Sequence, residues 1–332
     1  MRVHGELRFV DEAMSELTDE DTVEILDTVL PAARAHEFEE EHEVDFAYTL
    51  PEPKTRFRVN AYMQRGCVSL VFRLVPDEIR SLHELGLPDI VRTLAEEQRG
   101  IILVTGTTGC GKSTTCAAMI EHINDTAFRH VVTIEDPIEF VYRDKKSVID
   151  QREVGVDTGS FQAALRRVLR QDPDVILIGE MRDEATVRTA LAAAETGHLV
   201  LATLHTLDAP ETINRILDFF EPEQHAQARS MLAATLKGIV SQRLVPRADG
   251  NGRVAIAEVL TMTGRVHDFI RNPRREGDLT EVLAQGEYYG MQTFDQALYA
   301  AVQAGDVAMD DALRYASAPH DLQLRAATYS LD

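Results

Sequence analysis

The chain has 332 residues and a net charge of −21, with 44% hydrophobic and 27% charged residues, which suggests about two domains of ordinary soluble composition. No apolar run approaches the roughly 18 residues that cross a bilayer, and the first residues lack the apolar stretch of a secretory signal, so the chain is expected in the cytoplasm. Three cysteines are too few for a disulfide framework or a four-thiolate zinc site, and the acidic balance argues against a protein that tracks along nucleic acid.

In chain order, residues 2–10 read as a hairpin with its turn near Gly5. Residues 19–41 set Val23, Ile25, Leu26, Val29 and Leu30 among acids, an amphipathic helix pattern. The acidic run over 37–43 reads as a solvated face rather than a metal site, because so many carboxylates repel one another. Residues 56–60 and 69–75 are strand patterns joined through Gln64, Arg65 and Gly66. Arg56, Arg58, Arg65 and Arg73 fall here in an otherwise acidic region, either as surface arginines on an edge sheet or as groups that reach towards phosphate charge. From Pro76 to Gly100 the pattern becomes helical and polar, which places the junction there: a first domain over 1–88, a linker over 89–99 and a second domain over 100–332.

Residues 101–104 are four apolar residues, a buried strand. Residues 106–113 then satisfy G-x-x-x-x-G-K-[ST], and Cys116, Met119, Ile120 and Ile123 follow at helical spacing. Strand, glycine loop and helix in that order are the context that a phosphate-binding loop requires. Glycines let successive backbone N–H groups approach a polyphosphate, and the positive end of the following helix adds to that field. Gly106, Thr107, Thr108, Gly109, Cys110, Gly111, Lys112, Ser113 and Thr114 are the candidate ATP ligands, with Lys112 directed at the β- and γ-phosphates and the Ser113 hydroxyl at Mg²⁺.

The strand pattern over 131–135 ends in Glu135 and Asp136, with Glu139 beyond Pro137. Acids at the carboxyl end of a parallel strand face the ligand crevice, so they suit metal positioning or water activation, or else simple helix capping. Over 160–170, Phe161, Ala164, Leu165, Val168 and Leu169 form one helical face and Arg166, Arg167 and Arg170 another, suited to a neighbouring subunit's nucleotide or to solvent. Residues 174–180 form an apolar strand ending in Glu180, the pattern of a Walker B segment whose acid holds Mg²⁺ or polarises water. The candidate Mg²⁺ ligands are therefore Ser113, Asp136 and Glu180. Residues 183–195 read as a helix with Asp183 at its N-cap and Gly197 just past its end. A last buried strand is bracketed by His198 and His205; the strand-end position of His205 favours a role at the phosphate site, and nothing decides for His198.

GTTGCGKSTT (106–115), TIEDPIEF (133–140), QREVG (151–155), RQDPDVILIGEMRD (170–183) and ETGHLVLATLHT (195–206) resemble the hexameric secretion ATPases, and among them the type IV pilus retraction ATPases. RFRVNAYMQRG (56–66) and GMQTFDQAL (290–298) are similar to that family's N-terminal and C-terminal segments. The resemblance implies an α/β fold in which a RecA-like P-loop motor domain follows a smaller PAS-like α+β domain. It also implies a cytoplasmic homohexamer that uses ATP and Mg²⁺, acts on an inner-membrane pilus platform protein and works beside paralogous pilus ATPases. Glu135, Asp136 and Glu139 would be its Asp box, Glu180 its Walker B glutamate, His198 and His205 its His box, and Arg58, Arg65 and Arg73 the arginines turned to the γ-phosphate. Glu180, Glu139, Glu135 and His205 are the expected catalytic set.

The family also has a helix and a strand before the point where this chain starts, so the start is either mis-set or truncated and the N-terminal sheet is expected to be incomplete. Where retraction motors carry a segment like AIRNLIRE, this chain reads RVHDFIRN over 265–272, and its tail also resembles the accessory retraction paralogue. The expected function is an ATP-hydrolysing motor of the type IV pilus machine driving retraction. The alternatives are an accessory paralogue, an extension or type II secretion ATPase (which commonly carries a four-cysteine zinc insertion that this chain lacks), a non-hydrolysing nucleotide-binding regulator, and a DNA translocase.

Overall fold

The computed structural model describes residues 2–3, 6–7, 9, 15–52, 55–76, 78–272 and 278–329. They divide into two compact units, Met1–Asp77 and Glu78–Asp332.

In the first unit, β1 (Arg2–Val3) pairs antiparallel with β2 (Glu6–Leu7), as the hairpin pattern requires; its turn at residues 4–5 lies outside the described residues. The helical pattern over 19–41 is two helices rather than one, α1 (Asp19–Val29) and α2 (Ala35–Glu41). Pro31 causes the break, because it lacks an N–H and pushes the residue before it out of the helical region, and Leu30 is extended. Thr18 and Asp21 close a capping box at the start of α1. Strands β3 (Glu43–Leu50), β4 (Thr55–Gln64) and β5 (Cys67–Leu74) form an antiparallel meander. Arg65 and Gly66, both at positive φ, make the two-residue β4–β5 turn that matches strand twist. Leu26 and Val29 of α1 are buried with Val44, Phe46, Val59, Ala61 and Val68 of the sheet, which is this unit's own core.

The second unit begins with α3 (Asp89–Ala95), then β6 (Gly100–Thr105), α4 (Lys112–Thr126), β7 (His130–Glu135), β8 (Val148–Glu153), α5 (Phe161–Val168), β9 (Val175–Ile178), α6 (Glu184–Glu195) and β10 (Leu199–Leu204). It continues through α7 (Ala209–Asp218), α8 (His225–Thr235), β11 (Leu236–Pro246), β12 (Arg253–Thr261), α9 (Gly264–Arg271), α10 (Leu279–Ala284), α11 (Phe294–Gln303), α12 (Met309–Tyr315) and α13 (Pro319–Tyr329). One seven-stranded sheet has the order β12-β11-β6-β10-β9-β7-β8. Every neighbouring pair is parallel except β11 with β12.

Alternation along the central strands feeds two cores. Ile101 and Leu103 pack with Leu165, Leu191, Ile213 and Leu232 on the face covered by α5 to α10. Ile102 and Val104 pack with Met119, Ile120 and Val91 on the face covered by α3 and α4. The linker expected over 89–99 is thus corrected. Leu82, Leu87, Val91 and Leu94 are core residues of the second unit, and the units part at Asp77 rather than at residue 88. Val91, Leu94 and Ala95 form the buried face of α3, which the polar residues around them disguised. Asp183 caps α6 and Gly197, at φ +112, follows its end, as the helix over 183–195 requires. Residues 148–153 and 236–261, outside the strand patterns taken from the sequence, supply three of the seven strands.

Candidate active site

Every residue of β6 is buried, so this strand delivers the chain to the phosphate loop at the centre of the sheet. Gly106, Gly109 and Gly111 have φ of +136°, +78° and +98°, a region that side chains disfavour. A Cβ on Gly106 would lie 2.5 Å from both the Cys110 Sγ and the Gln242 carbonyl oxygen, whereas one on Gly109 or Gly111 would meet nothing within 4 Å. The first glycine therefore permits close packing against β11, and the other two leave an open backbone surface. Ser160, Asp183 and Asp208 cap α5, α6 and α7 through their side chains, but Gly111 gives α4 no side-chain cap. The first N–H groups of α4 are then available to an anion.

Lys112 is 8% exposed, and its Nζ donates to the carbonyl oxygens of Gly106 at 2.8 Å and Thr107 at 3.1 Å. Ser113 and Thr114 sit half-buried in the first turn of α4, while Thr107 and Thr108 are exposed at the lip of the loop. Cys110 is buried, and burial pushes its thiol up from the ordinary value, so it is not a thiolate at neutral pH.

Because β6, β7, β9 and β10 are parallel, their carboxyl ends share one edge. Glu180, just beyond β9, bonds Arg182 at 2.7 Å and the His205 Nε2 at 3.1 Å. The His205 Nδ1 lies 3.4 Å from the Lys112 Nζ. An ammonium can only donate, so Nδ1 carries the lone pair and Nε2–H donates to Glu180. Arg182, Glu180, His205 and Lys112 thus form one continuous polar array. Burial, the largest influence on Glu180, opposes its charged form, but Arg182 and His205 outweigh it and hold its carboxyl below the ordinary carboxylate value.

The three acids of the second strand part company. Glu135 is 8% exposed and accepts from the Thr133 hydroxyl at 2.7 Å, the Glu139 N–H at 3.3 Å and the Gln151 amide at 3.3 Å. Burial raises its carboxyl above the ordinary value against these bonds. Asp136, which precedes a cis bond to Pro137, and Glu139 are exposed. Glu135 therefore ties down the turn that presents the other two. His198 lies at the opposite end of β10 from His205, about 23 Å away at the ordinary strand rise. Its Nδ1 is 2.9 Å from the Ala193 carbonyl oxygen at the end of α6, so the two histidines do not share a site within one chain. Arg58 and Arg73 are direct cross-strand partners in the first unit, and Arg65 occupies the β4–β5 turn.

Sequence reasoning missed two parts of this site. Arg182 sits inside a quoted motif, and its spacing two residues from Glu180 was the available signal. The second part is a cavity of about 600 Å³ beside the loop, lined by Arg80, Gly111, Thr114, Thr115, Gln242 and Arg253. It depends on β11, a strand with no motif to betray it. A smaller cavity of about 320 Å³ lies against Thr107, Thr108, Arg243 and Tyr315.

The chain matches the sequence profile of the family described as type II/IV secretion system protein over residues 41–314. It is 46% identical to a twitching motility protein of Neisseria gonorrhoeae over 316 residues, covering 95% of this chain and 83% of that protein. It is 43% identical to the type IV pilus ATPase PilU of Pseudomonas aeruginosa over 324 residues, covering 98% and 84%. A crystal structure of the pilus retraction motor PilT with bound ADP superposes with a TM-score of 0.89 at 45% identity, covering 97% of this chain and 91% of that one. Phosphate loop, strand-end acid and histidine on one edge of a mainly parallel sheet agree with these matches, and the chain belongs to the type II/IV secretion system protein family.

Proposed function

We propose that this chain is an ATP-hydrolysing motor that powers retraction of a type IV pilus, working as a homohexamer on an inner-membrane platform protein. The observation that carries the reading is the array of Lys112, His205, Glu180 and Arg182 at the mouth of the phosphate loop. The ADP in the PilT crystal structure supports a nucleotide at the same loop here, with the larger cavity taking its nucleoside end.

Lys112 exchanges its two loop carbonyls for phosphate oxygens, which the uncapped start of α4 also attracts. Glu180, held ionised by the Arg182 guanidinium and the His205 Nε2–H, orients and polarises the attacking water; its depressed pKa suits orientation better than proton storage. Glu135 holds the turn that carries Glu139 and Asp136. Arg58, Arg65 and Arg73 serve charge on the transferring phosphoryl: like charges opposite one another on β4 and β5 cost energy that an anion would relieve. The donors present fit Mg²⁺, since Ser113, Asp136 and Glu180 offer hard oxygens. Among the described residues no cluster of three or more His, Cys, Asp or Glu could hold a metal, as suits an ion held mainly by substrate phosphates. When bound it would neutralise charge on the β- and γ-phosphate oxygens. No helix among the described residues is long and apolar enough to cross a membrane, in keeping with a peripheral motor.

The test is steady-state ATP turnover measured beside oligomeric mass. A species of six-chain mass should hydrolyse ATP, Lys112→Ala should abolish turnover, and Glu180→Gln should bind nucleotide while turning over about 10²–10⁴-fold more slowly. Full turnover by Lys112→Ala would overturn the site, and full turnover by a monomer would overturn the ring. The similarity to PilU supports a second reading, an accessory retraction ATPase. Restoration of pilus retraction by this chain alone, in cells lacking both retraction ATPases, would exclude it.

A further inference from the structure

β11 runs alongside β6 and passes the start of the phosphate loop, with Ser241 opposite Thr105 as the last pair of the two strands. Val240 belongs to the core on the α4 side, and two residues further along a strand the side chain returns to the same face. Gln242 is that residue. It is 2% exposed, yet its Oε1 has no hydrogen-bond partner among the described residues. It lines the cavity of about 600 Å³ together with Thr114 and Thr115 of α4.

Buried carboxamide oxygens are nearly always partnered, so one left without a donor in the fold points to a donor from whatever fills the cavity beside it. The phosphate groups of a nucleotide offer only acceptors. Its nucleoside end offers two kinds of donor, the 6-amino group of adenine and the ribose hydroxyls. We propose that Gln242 reads the nucleoside, its Oε1 accepting a hydrogen bond from one of these donors, and so sets which nucleotides this motor accepts. The assignment rests on the nucleotide site proposed above. A site built around a required hydrogen bond rejects ligands lacking the donor far more strongly than an apolar pocket rejects a change of size. Gln242 is then a source of selectivity that the phosphate loop, which reads only phosphates, does not supply.

The experiment measures equilibrium binding of ATP, ITP, 2′-deoxy-ATP and 3′-deoxy-ATP to the full chain, to Gln242→Met and to Gln242→Leu, with a thermal melt of each protein. The wild type should disfavour one analogue by roughly ten-fold or more, and both variants should bring that same ratio to within about two-fold. Loss of ITP discrimination identifies the base amine as the donor, and loss of deoxynucleotide discrimination identifies a ribose hydroxyl. Both variants should melt at or above the wild-type temperature, because they remove an oxygen with no partner in the fold. Ratios that persist in both variants, or a wild type that treats all four alike, would overturn the proposal while leaving the nucleotide site intact. So would a fall of more than about 5 °C in both variants, since that would mean the carboxamide serves the fold. A wild type that binds none of the four would remove the nucleotide site itself.

Discussion

Gly106 and Gly109 lie three residues apart in one loop, but the structure assigns their missing side chains different consequences. An alanine at Gly106 would place its Cβ 2.5 Å from the Gln242 carbonyl oxygen and from the buried Cys110 Sγ, at φ +136°. A backbone carbonyl in a paired strand cannot withdraw, so the overlap costs about 1–3 kcal/mol, and the backbone region adds about 1–3 kcal/mol. An alanine at Gly109, at φ +78° with nothing within 4 Å of its Cβ, costs only the left-handed penalty of about 1–2 kcal/mol. The open space it would fill faces the expected phosphates. Gly106→Ala should therefore lose about 2–6 kcal/mol of stability and, from the middle of the two ranges, melt roughly 5–10 °C below Gly109→Ala. Gly109→Ala should stay folded and lose nucleotide affinity. Calorimetric melting and binding of a fluorescent ADP analogue read the two effects separately. A Gly106→Ala protein that melts with the wild type would refute the close packing of loop and β11. Wild-type affinity in Gly109→Ala would refute the open cradle.

His205→Ala removes a hydrogen bond to an ionised carboxylate and should slow turnover about 10–100-fold, whereas His198→Ala, at the far end of β10, should stay within about two-fold of wild type; equal losses in the two would contradict the separation of these histidines. Glu258 is buried with its Oε1 accepting from the Ala209 N–H, and burial raises its carboxyl to about 7. A raised pKa means that the folded state holds the proton more tightly, so this contribution is complete below pH about 4.5 and is lost as pH rises to about 7, a fall of about 3 kcal/mol. Denaturant unfolding of Glu258→Gln should lack that fall, and an unchanged pH slope would show that Glu258 is not its source. Leu94 is 4% exposed in the second unit's core, so Leu94→Ala should cost that unit about 2–5 kcal/mol in a melt. A negligible shift would restore residues 89–99 as a linker.

Much of this protein was legible in one dimension because the signals were local. The loop over 106–113 carries its chemistry in four fixed positions between a strand and a helix, and α6 announces itself by Asp183 and Gly197. The β4–β5 turn is written in Arg65 and Gly66, and strand ends at Glu180 and His205 follow from where apolar runs stop. Each of these depends on neighbours within a few residues, so no knowledge of packing was needed. Tertiary structure decided the rest. Periodicity alone could not tell the buried α3 from a polar linker, since only its burial with Ile102 and Met119 makes Val91, Leu94 and Ala95 a core face. Three acids at 135, 136 and 139 look alike in sequence, yet one is locked inward by Thr133 and Gln151 while two face solvent. Two histidines bracketing one strand look like a pair, but the extended strand between them carries them to opposite edges of the sheet. Gln242 had no motif to mark it, because its importance arises from a pairing of β11 with β6 that joins residues 136 positions apart in the chain, seen in the bond from Thr105 to Ser241.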